Sequence, residues 1–195
     1  MKTRLAALLA CMALSAPLAA QQFDTISFGV DGGYPPFDVL APSGEITGFD
    51  IDIANALCTQ LKAKCVFVKQ PFESMIAALN AHKFDAIIAS LNITDERKKE
   101  VDFTDRYYRS AAQLVARKGS PLLPEVASLK GKTVGVQTGS THEAFAKANW
   151  ANHGVKIVGY ANQDNVYLDL LSGRIDAALQ DNIQAATGDA ANLLI

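Results

Sequence analysis

Four residues of this sequence have side chains suited to gripping a small charged molecule: Asp31, Ser90, Arg97 and Asp181. Arg97 ends the stretch IASLNITDER (residues 88–97), in which an apolar run gives way to small polar residues and Thr94 can open a short helix with Asp95 and Glu96 in its first turn. A cation at that end opposes the helix dipole, which favours negative charge there. Two readings follow. Arg97 is a surface charge beside Lys98 and Lys99, or it stands at an anion site formed by a strand end and a helix start. In the second reading its planar guanidinium would hold a carboxylate through two parallel bonds, each charge-assisted bond contributing roughly 1.5–3 kcal/mol.

The other candidates complement that chemistry. Asp181 follows a strand and is either a helix N-cap or an acceptor for an ammonium group, which the Ser90 hydroxyl could share. Asp31 lies in a glycine-rich loop and is either a turn aspartate or the partner of a second cation. Tyr34 and Phe72 are either core aromatics or walls for an alkyl chain or guanidinium. The turn Gly139, Ser140, Thr141 presents backbone donors at a helix start. Residues 135–141 resemble a phosphate loop but lack its lysine, so nucleotide binding is rejected. His82, His142 and His153 have no second His or Cys at metal-ligand spacing, and no Gly-x-Ser-x-Gly elbow occurs. No catalytic residue, metal or cofactor is expected, and His142 reads as a first-turn helix residue at a cleft edge.

The elements that would position these groups alternate. Strands are expected at 26–30, 65–69, 84–89, 112–116, 133–136, 155–158 and 175–179. Asp50 can cap a helix carrying Ile53, Ala54, Leu57 and Leu61, and helical spacing recurs at Phe72, Met75, Ile76 and Leu79. Ser140 or Thr141 caps the next helix, and Val166, Leu168, Leu170 and Leu171 lie on one that Gly173 ends. The largely βαβα order argues an α/β protein with mostly parallel sheets. The chain also repeats itself. KFDAIIAS (83–90) matches RIDAALQD (174–181), and the Gly-Val strand at 28–33 matches that at 134–139. Two similar lobes are expected, meeting near residues 107–112. Ligands of open α/β sheets sit beyond the strands' carboxyl ends, so Asp31, Ser90, the 139–141 turn and Asp181 would line one cleft between facing lobes.

The N-terminus is different. Lys2 and Arg4, the apolar run 5–14 and the small residues 16–20 form a secretory signal pattern, too short for a membrane span. Lipid anchoring at Cys11 would leave almost no apolar run before it and is not expected. Of 195 residues, 49% are hydrophobic, and loss of Lys2 and Arg4 takes the net charge from −2 to −4, which points to no nucleic-acid or anionic-membrane partner. Export places Cys58 and Cys65 in an oxidising compartment, where a disulfide is the default; the rival metal or redox pair has neither CxxC spacing nor a nearby His.

Taken together, several motifs carry a resemblance. They are GVDGGYPPF (29–37), GFDID (48–52), DAIIASLNITDER (85–97), GKTVGVQTGSTHE (131–143), YANQD (160–164) and DAALQD (176–181). The chain resembles periplasmic solute-binding proteins of polar amino-acid ABC importers, nearest to the lysine/arginine/ornithine- and histidine-binding proteins. The resemblance implies a two-lobe, type II (Venus-flytrap) fold with a signal peptide at 1–20, lobe 1 at 21–110 and lobe 2 at 111–195. It implies that Arg97 holds a ligand α-carboxylate with the backbone amides of Ser90 and Thr141, and that Asp181 and the Ser90 hydroxyl hold the α-ammonium. Asp31 would meet a distal cation, with Tyr34 and Phe72 enclosing the aliphatic part. Cys58 and Cys65 match the family's disulfide. Ala89 and Asn92 stand where serines are usual and Gln137 where an apolar residue is usual, all bordering the side-chain pocket. The implied partners are a basic L-amino acid and a membrane permease, with the protein a periplasmic monomer. In this family the chain returns from lobe 2 to complete lobe 1. That return is expected to be missing here, leaving the chain truncated and less stable. The rival readings are a cyclohexadienyl-dehydratase-like enzyme on the same fold and an extracytoplasmic amino-acid sensor.

Overall fold

A computed structural model describes residues 23–187 and 193–194. The signal-peptide and Cys11 expectations lie outside these residues. The chain builds two α/β lobes. In the first, strand β1 (Thr25–Val30) is followed by a small antiparallel sheet of β2 (Gly33–Tyr34), β3 (Asp38–Leu40) and β4 (Ile46–Thr47). Helix α1 (Phe49–Leu61), β5 (Lys64–Lys69), a 3-10 turn at Phe72–Ser74, helix α2 (Met75–Asn80) and β6 (Ala86–Ile87) complete it. Its main sheet is parallel, in the order β5-β1-β6.

Residues 101–111 run on without helix or strand. Then come β7 (Ala112–Arg117), α3 (Val126–Leu129), β8 (Thr133–Gln137), α4 (Thr141–Asn149), a 3-10 turn at Ala151–His153 and β9 (Lys156–Tyr160). Helix α5 (Gln163–Leu171), β10 (Ala177–Asp181), α6 (Asn182–Thr187) and β11 (Leu193–Leu194) follow. The second sheet has the order β11-β7-β10-β8-β9, in which β7 is antiparallel to both β10 and β11.

The sequence repeat is a structural repeat. Strand β8 pairs in parallel with β9 and β10 as β1 does with β5 and β6. In both lobes the repeated aspartate clamps the start of the central strand. Asp85 Oδ2 accepts from Ser27 N at 2.8 Å, and Asp176 Oδ2 from Thr133 N at 2.8 Å. The glycine of each Gly-Val strand has a packing reason. A Cβ on Gly29 would lie 2.5 Å from the Phe84 ring, and one on Gly135 2.6 Å from Ile175 Cδ1. Phe84 and Ile175 occupy equivalent places in the repeat.

Each sheet is covered on both faces, as parallel sheets require. In the first lobe, Phe28, Val30 and Ile88 pack on Ile51, Ala54 and Cys58 of α1, while Met75 and Ala78 of α2 pack with Phe84 and Ala89 on the other face. In the second, Val134, Val136 and Leu179 pack on Ala146 and Trp150; Val115 and Ala178 pack on Val166, Leu170 and Ala185. Cys58 and Cys65 form a disulfide joining α1 to β5, with Cα atoms 5.8 Å apart.

Several local expectations change. The strand expected over 84–89 shrinks to two residues, because Ser90 turns left-handed (φ 52) and, among the described residues, β6 is paired on one side only. A groove of about 520 Å³ runs beside β6, bounded by Leu79, Leu91, Ile93, Val101 and Phe103. Asp50 does not cap α1. The N-cap is Gly48, with no side-chain capping bond, and Asp50 sits in the first turn with its side chain buried. The helix after Thr94 is a single 3-10 turn, Arg97–Lys99; Thr94 Oγ1 still accepts from Arg97 N at 3.2 Å. One such turn has almost no macrodipole, so the conflict between Arg97 and a helix start disappears. Ser140 is the cap of α4, accepting from Glu143 N at 3.1 Å.

Candidate functional site

The carboxyl ends of both sheets meet in one cleft. Tyr34, Phe72, Ala89, Ser90, Asn92, Gln137, Thr141 and Asp181 line it, joined by Ser140, His142 and Gln163. The free volume is about 20 Å³, room for about one water. The lobes are drawn together by hydrogen bonds between groups expected to bind. The Tyr34 hydroxyl donates to Asp181 Oδ2, Gln137 Nε2 donates to Asp31 Oδ2 at 2.9 Å, and Asn92 Nδ2 donates to Thr141 Oγ1 at 2.9 Å.

Arg97 is half-buried. Its Nη1 donates to Asn92 O at 2.7 Å and its Nη2 to Gly139 O at 3.0 Å, reaching from one lobe to the other. Its guanidinium carbon lies 5.8 Å from the Phe72 ring centroid, so Phe72 is a cleft wall. Among the described residues Arg97 forms no ion pair. Burial pulls its pKa down, although a guanidinium stays charged in any case.

Asp181 ends β10, buried. Burial alone would raise its pKa, but hydrogen bonds from His142, Ser110 and Tyr34 outweigh that and hold it below the usual carboxylate value. Ser110 Oγ donates to Oδ1 at 2.6 Å, and His142 Nε2 lies 3.5 Å from the same oxygen. Asp31, at the end of β1, has its pKa raised by burial; the Gln137 amide, the Phe72 N–H and the Lys69 charge lower it, and Asp164 raises it. Asp31 and Arg97 thus stand just behind the lining, bonded to Gln137 and Asn92.

One expected role fails. The Ser90 N–H was expected to help hold a carboxylate, but it donates to Asp50 Oδ2 at 2.7 Å. The Ser90 hydroxyl donates to the same oxygen at 3.0 Å, and Tyr107 Oη donates to Oδ1 at 2.9 Å. The sequence gives Asp50 the role of a helix cap and not this one, because an aspartate before an apolar helix has the same signature whether it caps or points inward. Asp38 was missed too. It is fully buried, and its carboxylate takes the N–H groups of Asp31 (3.4 Å), Gly32 (3.1 Å) and Tyr34 (3.2 Å), fixing the loop that presents Asp31 and Tyr34. An aspartate between Phe37 and Val39 was its only sequence signal. His142 was placed at the cleft edge; it is buried inside the lining, against Asp181.

This fold, with its cleft between two repeated lobes, is that of an extracellular binding protein. The chain belongs to the bacterial extracellular solute-binding proteins, family 3, whose family model matches residues 26–187. It is 48% identical over 165 residues to the lysine/arginine/ornithine-binding periplasmic protein of Escherichia coli (strain K12), covering 85% of this chain and 64% of that relative. The chain thus spans just under two thirds of that relative's length. An ancestral arginine-binding protein solved with bound arginine superposes with a TM-score of 0.84 at 36% identity, covering 89% of this chain and 79% of that one. An ancestral amino-acid-binding protein described as a precursor of cyclohexadienyl dehydratase superposes with a TM-score of 0.82 at 34% identity, over 88% and 77% of the two chains.

Proposed function

We propose that this chain captures a basic L-amino acid (arginine, lysine, ornithine or histidine) between its lobes, for delivery to an ABC-importer permease. The observation that carries this reading is charge without partners. Among the described residues, a half-buried guanidinium without a carboxylate partner stands just behind the lining of a cleft that also has the buried carboxylates of Asp181 and Asp31 at its margins. Buried charges left unpaired are costly. An α-amino acid with a basic side chain supplies one anion and two cations in one molecule. Arg97 and the Thr141 amide would take its carboxylate, Asp181 its ammonium and Asp31 its distal cation. Tyr34, Phe72, Ala89, Asn92 and Gln137 would shape the space between. The names of the relatives, one a lysine/arginine/ornithine-binding protein and one an arginine-binding protein, support the ligand class.

The same reading assigns residues 1–20 to export into the periplasm, and residues 21–110 and 111–195 to the two lobes of a monomer. It makes the chain a binder and not an enzyme. A dehydratase would need a free acid or base at the reacting atom, whereas Asp181 already accepts from Tyr34 and Ser110, and Asp31 from Gln137. The experiment is calorimetric titration with the twenty amino acids and ornithine, together with a dehydratase assay on arogenate and prephenate. Micromolar or tighter binding confined to basic amino acids, lost at least a hundredfold in Arg97→Ala, is expected. Equal binding by the variant, or turnover of arogenate or prephenate, overturns the reading.

A further inference from the structure

We propose that Asp50, which touches no ligand in the reading above, sets the polarity of the cleft by turning Ser90 into an acceptor. The inference rests on the proposed capture of an α-amino acid and assigns a positioning residue to its ammonium subsite.

Ser90 has two donors, its N–H and its O–H, and both are directed at one atom, Asp50 Oδ2. The other oxygen of Asp50 accepts from Tyr107, so every described partner of this carboxylate is a donor. A carboxylate is acceptor-only when ionised, and this arrangement uses it as such. A hydroxyl that gives its single proton to Asp50 has only lone pairs left. Tyr108 stands against the Ser90 side chain, and Ser90 lines the cleft together with Asp181. The serine backbone is in the left-handed region, which a non-glycine residue occupies only when its surroundings hold it there. The paired bonds to Asp50 supply that hold. Asp50 is itself fully buried in the first turn of α1, and so fixed by the helix and not by a mobile loop.

The consequence is a choice of ligand charge. With Asp50 ionised, Ser90 and Asp181 present acceptors to the same place, which suits an ammonium with several N–H donors. Replacing Asp50 by alanine would remove the acceptor and release the hydroxyl proton toward the cleft, where it opposes an ammonium, whereas an amide would keep its oxygen on the Ser90 N–H and hydroxyl and turn its NH2 to the rotatable Tyr107 hydroxyl.

The test compares L-arginine with 5-guanidinopentanoate, which keeps the carboxylate and guanidinium but lacks the α-ammonium. Affinities of the parent, Asp50→Ala, Ser90→Ala and the double variant are measured by calorimetry, with thermal unfolding recorded for each. The expected result is that Asp50→Ala weakens arginine about tenfold while leaving 5-guanidinopentanoate within about twofold, and that the double variant is no weaker for arginine than Ser90→Ala. A merely structural role predicts equal loss for both ligands and additive effects in the double variant; either outcome overturns the proposal. If Asp50→Ala does not fold, Asp50→Leu replaces it beside Asp50→Asn. The preference for arginine must then drop about tenfold in Leu and persist in Asn, whose amide oxygen can stay on Ser90, and equal preferences overturn the proposal. Failure of the parent to bind arginine overturns both this inference and the reading beneath it. Binding by the parent that is lost in Arg97→Ala but shows no ligand-dependent effect at Asp50 overturns this inference alone.

Discussion

At the scale of single residues, function depends on where charge is left uncompensated. Arg97 and Asp181 meet neutral groups and one histidine, and Asp31 meets the amide of Gln137. Asp31 is the residue that would read a basic side chain. Asp31→Asn is expected to weaken arginine by one to two orders of magnitude, consistent with roughly 1.5–3 kcal/mol for a charge-assisted bond. Citrulline, the neutral near-isostere of arginine, should be affected far less, and titration with the two ligands checks this. The pH dependence follows from the direction of the Asp31 shift. Burial raises its pKa above the ordinary aspartate value of 3.8, and a cationic ligand requires the ionised form. Arginine affinity should therefore fall as pH drops through the acid range, starting above pH 3.8, and this part of the fall should vanish in Asp31→Asn. Ser90 and Asp181 could be picked out in the sequence because a repeat placed them past strand ends, and Arg97 because it follows a strand end and a helix-start signal. Asp50 could not, because the direction of a side chain in a first helical turn depends on what lies forty residues away.

At the scale of elements, the loop between β1 and β3 depends on Asp38. Burial, then the charges of Asp31 and Asp50, push its pKa up to about 7, while the N–H groups of Asp31 and Gly32 pull it down. A carboxyl whose pKa is higher in the folded than in the unfolded chain stabilises fully below the unfolded value. That stability is lost as pH rises toward the folded value. Between about pH 4 and pH 7 the parent should thus lose stability relative to Asp38→Asn, by at most about 4 kcal/mol. Unfolding midpoints of both proteins across that range test this, and parallel curves would refute it. Most helices and long strands could be read locally: α1, α5, β1, β5 and β8 stand where apolar residues put them, and α4 where its Ser140 cap does. The β2-β3-β4 sheet could not, because strands of two or three residues are too short to show alternation. The strand over 84–89 was overread because a buried apolar run carries no mark of where pairing stops.

At the scale of the whole molecule, the two lobes are closed on a cleft that admits about one water, so capture requires them to part and close again. Gly139 sits at the seam with φ 77, and a Cβ there would lie 2.9 Å from Glu73 Cα of the other lobe. Gly139→Ala strains the turn by about 1 kcal/mol whatever the lobes do, but the clash with Glu73 exists only when they are closed. Small-angle scattering should show the parent compacting on addition of arginine and the variant remaining extended, with at least tenfold weaker binding. Identical scattering changes would remove Gly139 from the closure seam. The internal repeat made the two-lobe plan legible, because Gly29 with Phe84 and Gly135 with Ile175 repeat one packing solution. The bonds across the seam were less legible: Asp31 and Gln137 hold equivalent places in the two copies of the repeat, but the repeat does not say that the two copies touch there.

The central claim is that Arg97 waits for a carboxylate supplied by the ligand. Paired titration with L-arginine and agmatine, which is arginine without its carboxylate, tests it most directly. The account predicts that the parent binds arginine at least a hundredfold more tightly than agmatine and that Arg97→Ala binds the two equally weakly. Agmatine bound as tightly as arginine by the parent, or an arginine preference that survives in Arg97→Ala, would contradict it.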